Sequence, residues 1–212
     1  MSERWPAAGQ GAVAELEAKK SRFLAIVRRA TTVEEARDLV AEARRFHPGA
    51  RHYCSAHVIS QPDAQPIWHS NDDGEPAQTA GRPMLDVLVG SGLSNVAAVV
   101  VRWFGGTLLG TGGLVRAYSE ATKLALDALP TVRVELVDLW RLPVDHAHAG
   151  RVEAELRDAG ITVHAVEYTA TGALLTLADR DAEGLARTVA SVTSGAADLA
   201  PAGRVLVEYS NT

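Results

Sequence analysis

The 212-residue chain is long enough for one or two domains with their own cores, and two are expected. Its 21 Lys and Arg against 26 Asp and Glu leave a net charge of −5, which excludes coating of nucleic acid by bulk charge. Residues 1–136 carry 15 basic and 15 acidic side chains and residues 137–212 carry 6 and 11, so an anion-binding surface is expected in the first part.

The start "MSERWPAAGQ" has no apolar leader, and the uncharged stretch Val87 to Val101 is too short and too interrupted by Ser91, Ser94 and Asn95 to span a bilayer. The single cysteine, Cys54, rules out an internal disulfide framework and fits a reducing compartment, so a soluble cytoplasmic protein without a membrane partner is predicted. "GAVAELEAKKSRFLAIVRRA" predicts two short strands joined by a basic turn at Lys19, Lys20 and Arg22. Thr32 with Glu35 forms a capping box for a helix whose apolar positions Ala36, Leu39, Val40, Ala43 and Phe46 run to the stop at His47-Pro48-Gly49. "YCSAHVIS" reads as a strand, "QPDAQP" as a loop and "SNDDGEPAQTAG" as a turn region. A helix over Thr79 to Gly90 packs Met84, Leu85 and Leu88. "NVAAVVVRWF" is a buried strand. A helix from about Gly112 to Pro130 sets Leu114, Tyr118, Ala121 and Ala125 on one face, and Arg116 with Glu120 and Lys123 with Asp127 as i,i+4 pairs on another.

Beyond Pro130 the pattern becomes strand (Leu136 to Val144), helix (about His146 to Ala159), strands (Ile161 to Tyr168 and Gly172 to Ala178), helix (Ala182 to Ser194) and strand (Arg204 to Tyr209). This is the β-α-β-β-α-β order of a ferredoxin-like domain. The predicted class is therefore α+β with two domains, 1–133 and 134–212.

The segment "RWFGGTLLGTGGLVRAY", residues 102–118, concentrates five glycines before a helix. It is not a Walker loop, because Thr111 stands where the lysine belongs, and not a dinucleotide fingerprint, because Val115 occupies the third glycine position. Two readings stand. Gly105, Gly106, Gly110, Gly112 and Gly113 lead into a helix start that attracts anions, with Arg102 and Arg116 beside it; or the glycines serve positive φ and close packing, with Arg116 paired to Glu120. The acidic turn Asp72, Asp73 and Glu75 likewise reads as an acid/base or Mg²⁺ group, or as a structural turn or partner surface, and its spacing is not that of an EF-hand. Among His47, His52, Cys54 and His57, strand alternation puts only His52 and Cys54 on one face, so no closed zinc site is expected. His146 and His148 receive no role, and neither a metal nor a cofactor is expected. Trp103, Phe104 and Tyr118 read as core residues or, if exposed, as stacking platforms for bases.

The segments "KKSRFLA" (19–25), "HYCSAH" (52–57), "DDGEPAQTAGRPML" (72–85) and "VVVRWFGGTLLGTGGLVRAY" (99–118) resemble, in order and spacing, the signatures of the YigZ/IMPACT family in its bacterial two-domain form. The resemblance covers the whole chain. It implies a first domain of the α+β type shared with a small-subunit ribosomal protein and the fourth domain of elongation factor G, and a ferredoxin-like second domain like that factor's last. The family motif falls on Asp72, Asp73, Gly74, Glu75 and Pro76, and on Arg102, Phe104, Gly105, Gly106, Gly110, Gly112, Gly113, Arg116 and Tyr118. Two positions depart from it: many members have Tyr at Trp103 and Lys at Leu108, and the missing Lys removes a phosphate contact. Eukaryotic relatives use an additional N-terminal domain in a stress-kinase pathway; with "KKSRF" beginning at residue 19 that role is not carried over.

What the resemblance implies for function is a non-enzymatic protein associated with translation or its regulation, contacting RNA, the ribosome or a translation factor through Lys19, Lys20, Arg22, Arg102, Arg116 and the glycine loop. No DNA-specific recognition is expected, and the oligomeric state stays open. Two alternatives stand beside it: an enzyme for a small phosphate-bearing substrate with the "DDGEP" carboxylates and the glycine loop in one cleft, and a protein-interaction module with "DDGEP" as an acidic epitope.

Overall fold

The uncharged run of β6 (Val96–Trp103) is buried on both sides and becomes the middle strand of a five-stranded sheet. A computed structural model describes residues 2–61, 64–196 and 198–210. Two residues of the "QPDAQP" loop, 62 and 63, lie outside the described residues. The sheet order is β2 (Gly11–Ala18), β3 (Ser21–Arg29), β6, β4 (His52–Ile59), β5 (Ile67–Asn71), each neighbouring pair antiparallel. Alternation along β6 serves two cores. Ala97, Val99 and Val101 pack with Leu39 and Ala43 of α1 (Val33–Phe46), and Val96, Ala98 and Val100 pack with Met84 and Leu88 of α2 (Gly81–Gly90) and Tyr118 and Ala121 of α3 (Thr111–Asp127).

The start of α1 shows how local chemistry sets an element. The Thr32 hydroxyl accepts from Glu35 N at 3.1 Å, while the Glu35 carboxylate reaches Thr31 N at 2.6 Å, one residue earlier than a reciprocal capping box. These backbone bonds hold the Glu35 carboxyl below its usual range. β5 lacks an alternating apolar pattern and is not evident from sequence; it forms because the register Val58 to Trp68 and His57 to His69 pairs it with β4.

The chain divides into two compact units, one mainly Glu3–Arg133 and one mainly Val134–Glu208. After the opening strand β1 (Ser2–Pro6), the sheet of the second unit has the order β7 (Thr131–Asp145), β9 (Gly172–Asp179), β8 (Thr162–Tyr168), and β10 (Ala200–Ser210) also pairs with β7. Strands β7 to β10 with helices α4 (Ala149–Asp158) and α5 (Ala182–Thr193) follow the β-α-β-β-α-β order, and β10-β7-β9-β8 is the ferredoxin-like arrangement. Val152 and Leu156 of α4 and Leu185 and Val189 of α5 cover Leu142, Leu175 and Leu177. Helix α4 begins three residues later than the apolar pattern predicts, because Asp145 accepts from His148 N at 3.0 Å and holds residues 145–148 in a turn. No described helix is long and apolar enough to cross a membrane.

Candidate anion-binding surface

Two loops meet at one end of the first sheet. The β2–β3 connection has only two residues, Lys19 and Lys20, with φ of +47° and +65°, the left-handed pair that a type I′ hairpin turn demands. Asn-Gly adopts this geometry readily, whereas each lysine in it costs roughly 1–2 kcal/mol. The glycine loop packs directly on this turn: a Cβ on Gly105 would lie 2.0 Å from the Lys20 carbonyl, so only glycine admits the approach. The buried Ser21 hydroxyl accepts from Gly105 N at 3.1 Å, and Lys19 Nζ donates to the Leu108 carbonyl at 3.5 Å.

The loop ends at Gly110, whose φ of +76° turns the chain into α3. No side chain caps this helix start, and the first amides of a helix have no intrahelical acceptor. Arg116 is exposed one turn later, and its Nε donates back to Gly112 O at 3.2 Å. Arg22 forks onto Glu15 at 2.7 and 3.1 Å and lies 4.6 Å from the centre of the Trp103 ring. That hydrogen bonding raises the Arg22 pKa and lowers that of Glu15. The Lys19–Lys20 turn, the glycine loop and the start of α3 thus form one exposed cationic and amide-bearing surface.

Arg102 does not belong to it. Sequence reasoning puts this guanidinium beside Arg116 at the surface; the structure buries it, because β6 is covered on both faces. Its Nη1 donates to Glu75 Oε1 at 2.6 Å, and the Tyr118 hydroxyl donates to the same oxygen at 2.8 Å. Arg102 Nη2 reaches Ser21 Oγ at 3.4 Å, and His52 Nε2 stands 3.9 Å from Glu75 Oε1. Burial, followed by neighbouring Cys54 and Glu75, pushes the Tyr118 phenol well above its usual range, so it remains a donor. Cys54 is fully buried with Sγ 3.0 Å from Asp72 O and 3.3 Å from Tyr118 Oη, and burial likewise raises its thiol. It behaves as a small core residue rather than a nucleophile.

The other acidic-turn carboxylates are also engaged. Asp72 accepts from Gln78 N, Ala80 N and Gly81 N at 2.8, 3.0 and 2.8 Å, which caps the approach to α2. Asp73, with φ of +42°, accepts from Tyr53 N at 2.7 Å and from Arg44. Among the described residues no group of three His, Cys, Asp or Glu side chains is arranged to hold a metal. The acidic turn and the glycine loop are adjacent, joined through Glu75 and Arg102, but what joins them is a filled ion pair rather than an open cleft. Sequence reasoning missed this link and the part of Ser21 in it, because Glu75 lies 27 residues from Arg102 and 43 from Tyr118 and only the topology brings them together.

A model of the Impact N-terminal domain matches residues 19–126, a span that contains every residue of this surface and its buried support. The chain belongs to the IMPACT family. It is similar to the IMPACT family member YigZ of Escherichia coli, 44% identical over 73% of this chain and 76% of that protein. It is also similar to the IMPACT family member YvyE of Bacillus subtilis, 34% identical over 87% of this chain and 85% of that protein. A crystal structure of a hypothetical protein, 38% identical, covers 93% of this chain and 96% of its own with a TM-score of 0.64. These spans include both units, so the likeness is not confined to the glycine loop.

Proposed function

We propose that this IMPACT family protein works in translation or its regulation without catalysing a reaction, by holding RNA phosphate on the surface formed by Lys19, Lys20, the Gly105–Gly113 loop and Arg116. The observation that carries this reading is the Lys19–Lys20 turn. Two exposed lysines occupy strained left-handed positions directly against Gly105, where nothing larger fits, and Lys19 Nζ reaches the Leu108 carbonyl, two residues before Gly110 and the uncapped start of α3. Such an arrangement suits the oxygens of a phosphodiester. Residues 1–133 and 134–212 then act as the family's two domains, the second serving as the elongation-factor-like partner of the first in a cytoplasmic, ribosome-linked role. The engagement of Asp72, Asp73 and Glu75 by backbone amides, Arg44 and Arg102 supports a non-catalytic part for the acidic turn.

Filter binding of RNA at a series of salt concentrations tests the proposal. Affinity falls steeply with salt, and K19A/K20A weakens binding and flattens the slope by about 1.4 for a single strand. Absent binding, or binding indifferent to salt, refutes it.

A further inference from the structure

The aromatic residues around the loop indicate which kind of RNA this surface fits. Tyr118 is fully buried, and Trp103 is half-buried between the Arg22 guanidinium at 4.6 Å and the His47 ring at 6.0 Å. Phe104 differs, being 40% exposed with the Arg102 guanidinium 5.7 Å from its ring centre. It directly precedes Gly105, the residue that abuts Lys20, so an exposed π-surface and the two lysines stand on touching segments of backbone.

We infer that the first unit binds an unpaired stretch of RNA, stacking one base on Phe104 while Lys19 and Lys20 hold the adjoining phosphates. This rests on the RNA reading above and goes beyond it by naming the strand state and the base platform. A base is free to lie on an aromatic ring only when it is unpaired and splayed from its neighbours. The distribution of charge points the same way. Glu17 and Glu15 are exposed two and four residues before Lys19, and Glu15 already engages Arg22, so along this hairpin the unopposed positive charge is confined to the tip of the turn. A duplex or an anionic bilayer lays broad rows of phosphate across a surface and would bring them against those carboxylates. A single strand needs only a few phosphates at the tip.

The test uses the full chain and a short single-stranded oligoribonucleotide carrying 2-aminopurine, whose fluorescence is quenched by stacking. Binding quenches the fluorophore. Phe104→Leu, which keeps an apolar side chain on an exposed loop but removes the π-face, abolishes the quench and weakens binding about fivefold to 150-fold. Phe104→Trp restores both, and a blunt duplex of the same sequence binds more weakly than the single strand. Equal affinity for duplex and single strand, unchanged quenching in Phe104→Leu, or stronger capture by phosphatidylserine vesicles than by RNA overturns the inference. Salt-dependent RNA binding accompanied by equal affinity for both strand states defeats this inference alone; no RNA binding at all defeats the underlying reading as well.

Discussion

Truncating Glu75 isolates the contribution of the buried ion pair. The Arg102 and Glu75 side chains are 6% and 3% exposed, their closest atoms are 2.6 Å apart, and the same carboxylate oxygen also receives the Tyr118 hydroxyl. In Glu75→Ala the guanidinium keeps, as its hydrogen bond among the described residues, the long 3.4 Å contact to Ser21 Oγ, beside the Phe23 and Phe104 rings, and the Tyr118 hydroxyl loses its acceptor. An uncompensated buried charge costs about 3–5 kcal/mol, and the orphaned hydroxyl shares that network, so its cost of about 1–3 kcal/mol does not simply add. The expected loss is therefore about 3–5 kcal/mol. Urea unfolding in a Trp5→Phe, Trp140→Phe background measures it, because the remaining Trp68 and Trp103 both lie on strands of the first sheet and report the Glu3–Arg133 unit. Replacing both partners, Arg102→Met with Glu75→Leu, costs less than Glu75→Ala because no charge is stranded. A loss below about 1 kcal/mol for Glu75→Ala, the range of an exposed pair, would refute the reasoning.

Gly105→Ala places a methyl 2.0 Å from the Lys20 carbonyl, so it lowers the unfolding midpoint by the equivalent of about 1–3 kcal/mol and loosens RNA binding with it. A variant with Lys19→Asn and Lys20→Gly relieves two left-handed lysines, partly offset by the freedom that glycine adds to the unfolded chain, and raises stability by a net of roughly 1–2 kcal/mol while losing RNA affinity; a thermal melt and a binding titration on one sample check both halves. His57 is 6% exposed, its Nε2 has no partner among the described residues, and its ring stacks on His69 at 5.2 Å. Burial, then His69 and Arg37, lower its pKa below the ordinary 6.5, so the unfolded chain takes up the proton first and this contribution to stability, complete above 6.5, drains away as pH falls below it. His57→Phe flattens that part of the stability curve between about pH 7 and pH 5, and an unchanged slope counts against the assignment.

Elements whose signals are local were legible in the sequence: the continuous apolar run of β6, the Thr32 cap of α1, and the short spacing around Lys19–Lys20 that leaves room only for a hairpin. The ferredoxin-like order was legible for the same reason, each element of residues 134–212 being set off by a turn signal. Elements whose cause lies elsewhere in the chain were not. β5 exists because β4 presents an edge, and α4 starts late because a side-chain bond at Asp145 outweighs the apolar pattern. The arginines illustrate the same limit. Arg102 and Arg116 read identically as cations flanking a glycine loop, yet one sits on a strand packed from both sides and the other on the outer face of a helix, so only the second meets solvent.

Those placements explain how an acidic turn is compatible with the proposed RNA surface. Free carboxylates of the acidic turn would add to the opposing charge of Glu15 and Glu17, but Asp72 turns its charge into the amides leading to α2 and Glu75 turns its charge inward to Arg102. Arg102 in turn touches Ser21, the residue that closes the lysine hairpin and also receives the Gly105 amide. The acidic turn therefore acts on the loop through packing rather than through its field. It follows that Glu75→Gln, which keeps the acceptor oxygen and removes only the charge, lowers stability less than Glu75→Ala and leaves the salt slope of RNA binding unchanged. A slope that steepens in Glu75→Gln would mean that Glu75 opposes the bound phosphates directly, and the buttress would have to be given up as its role.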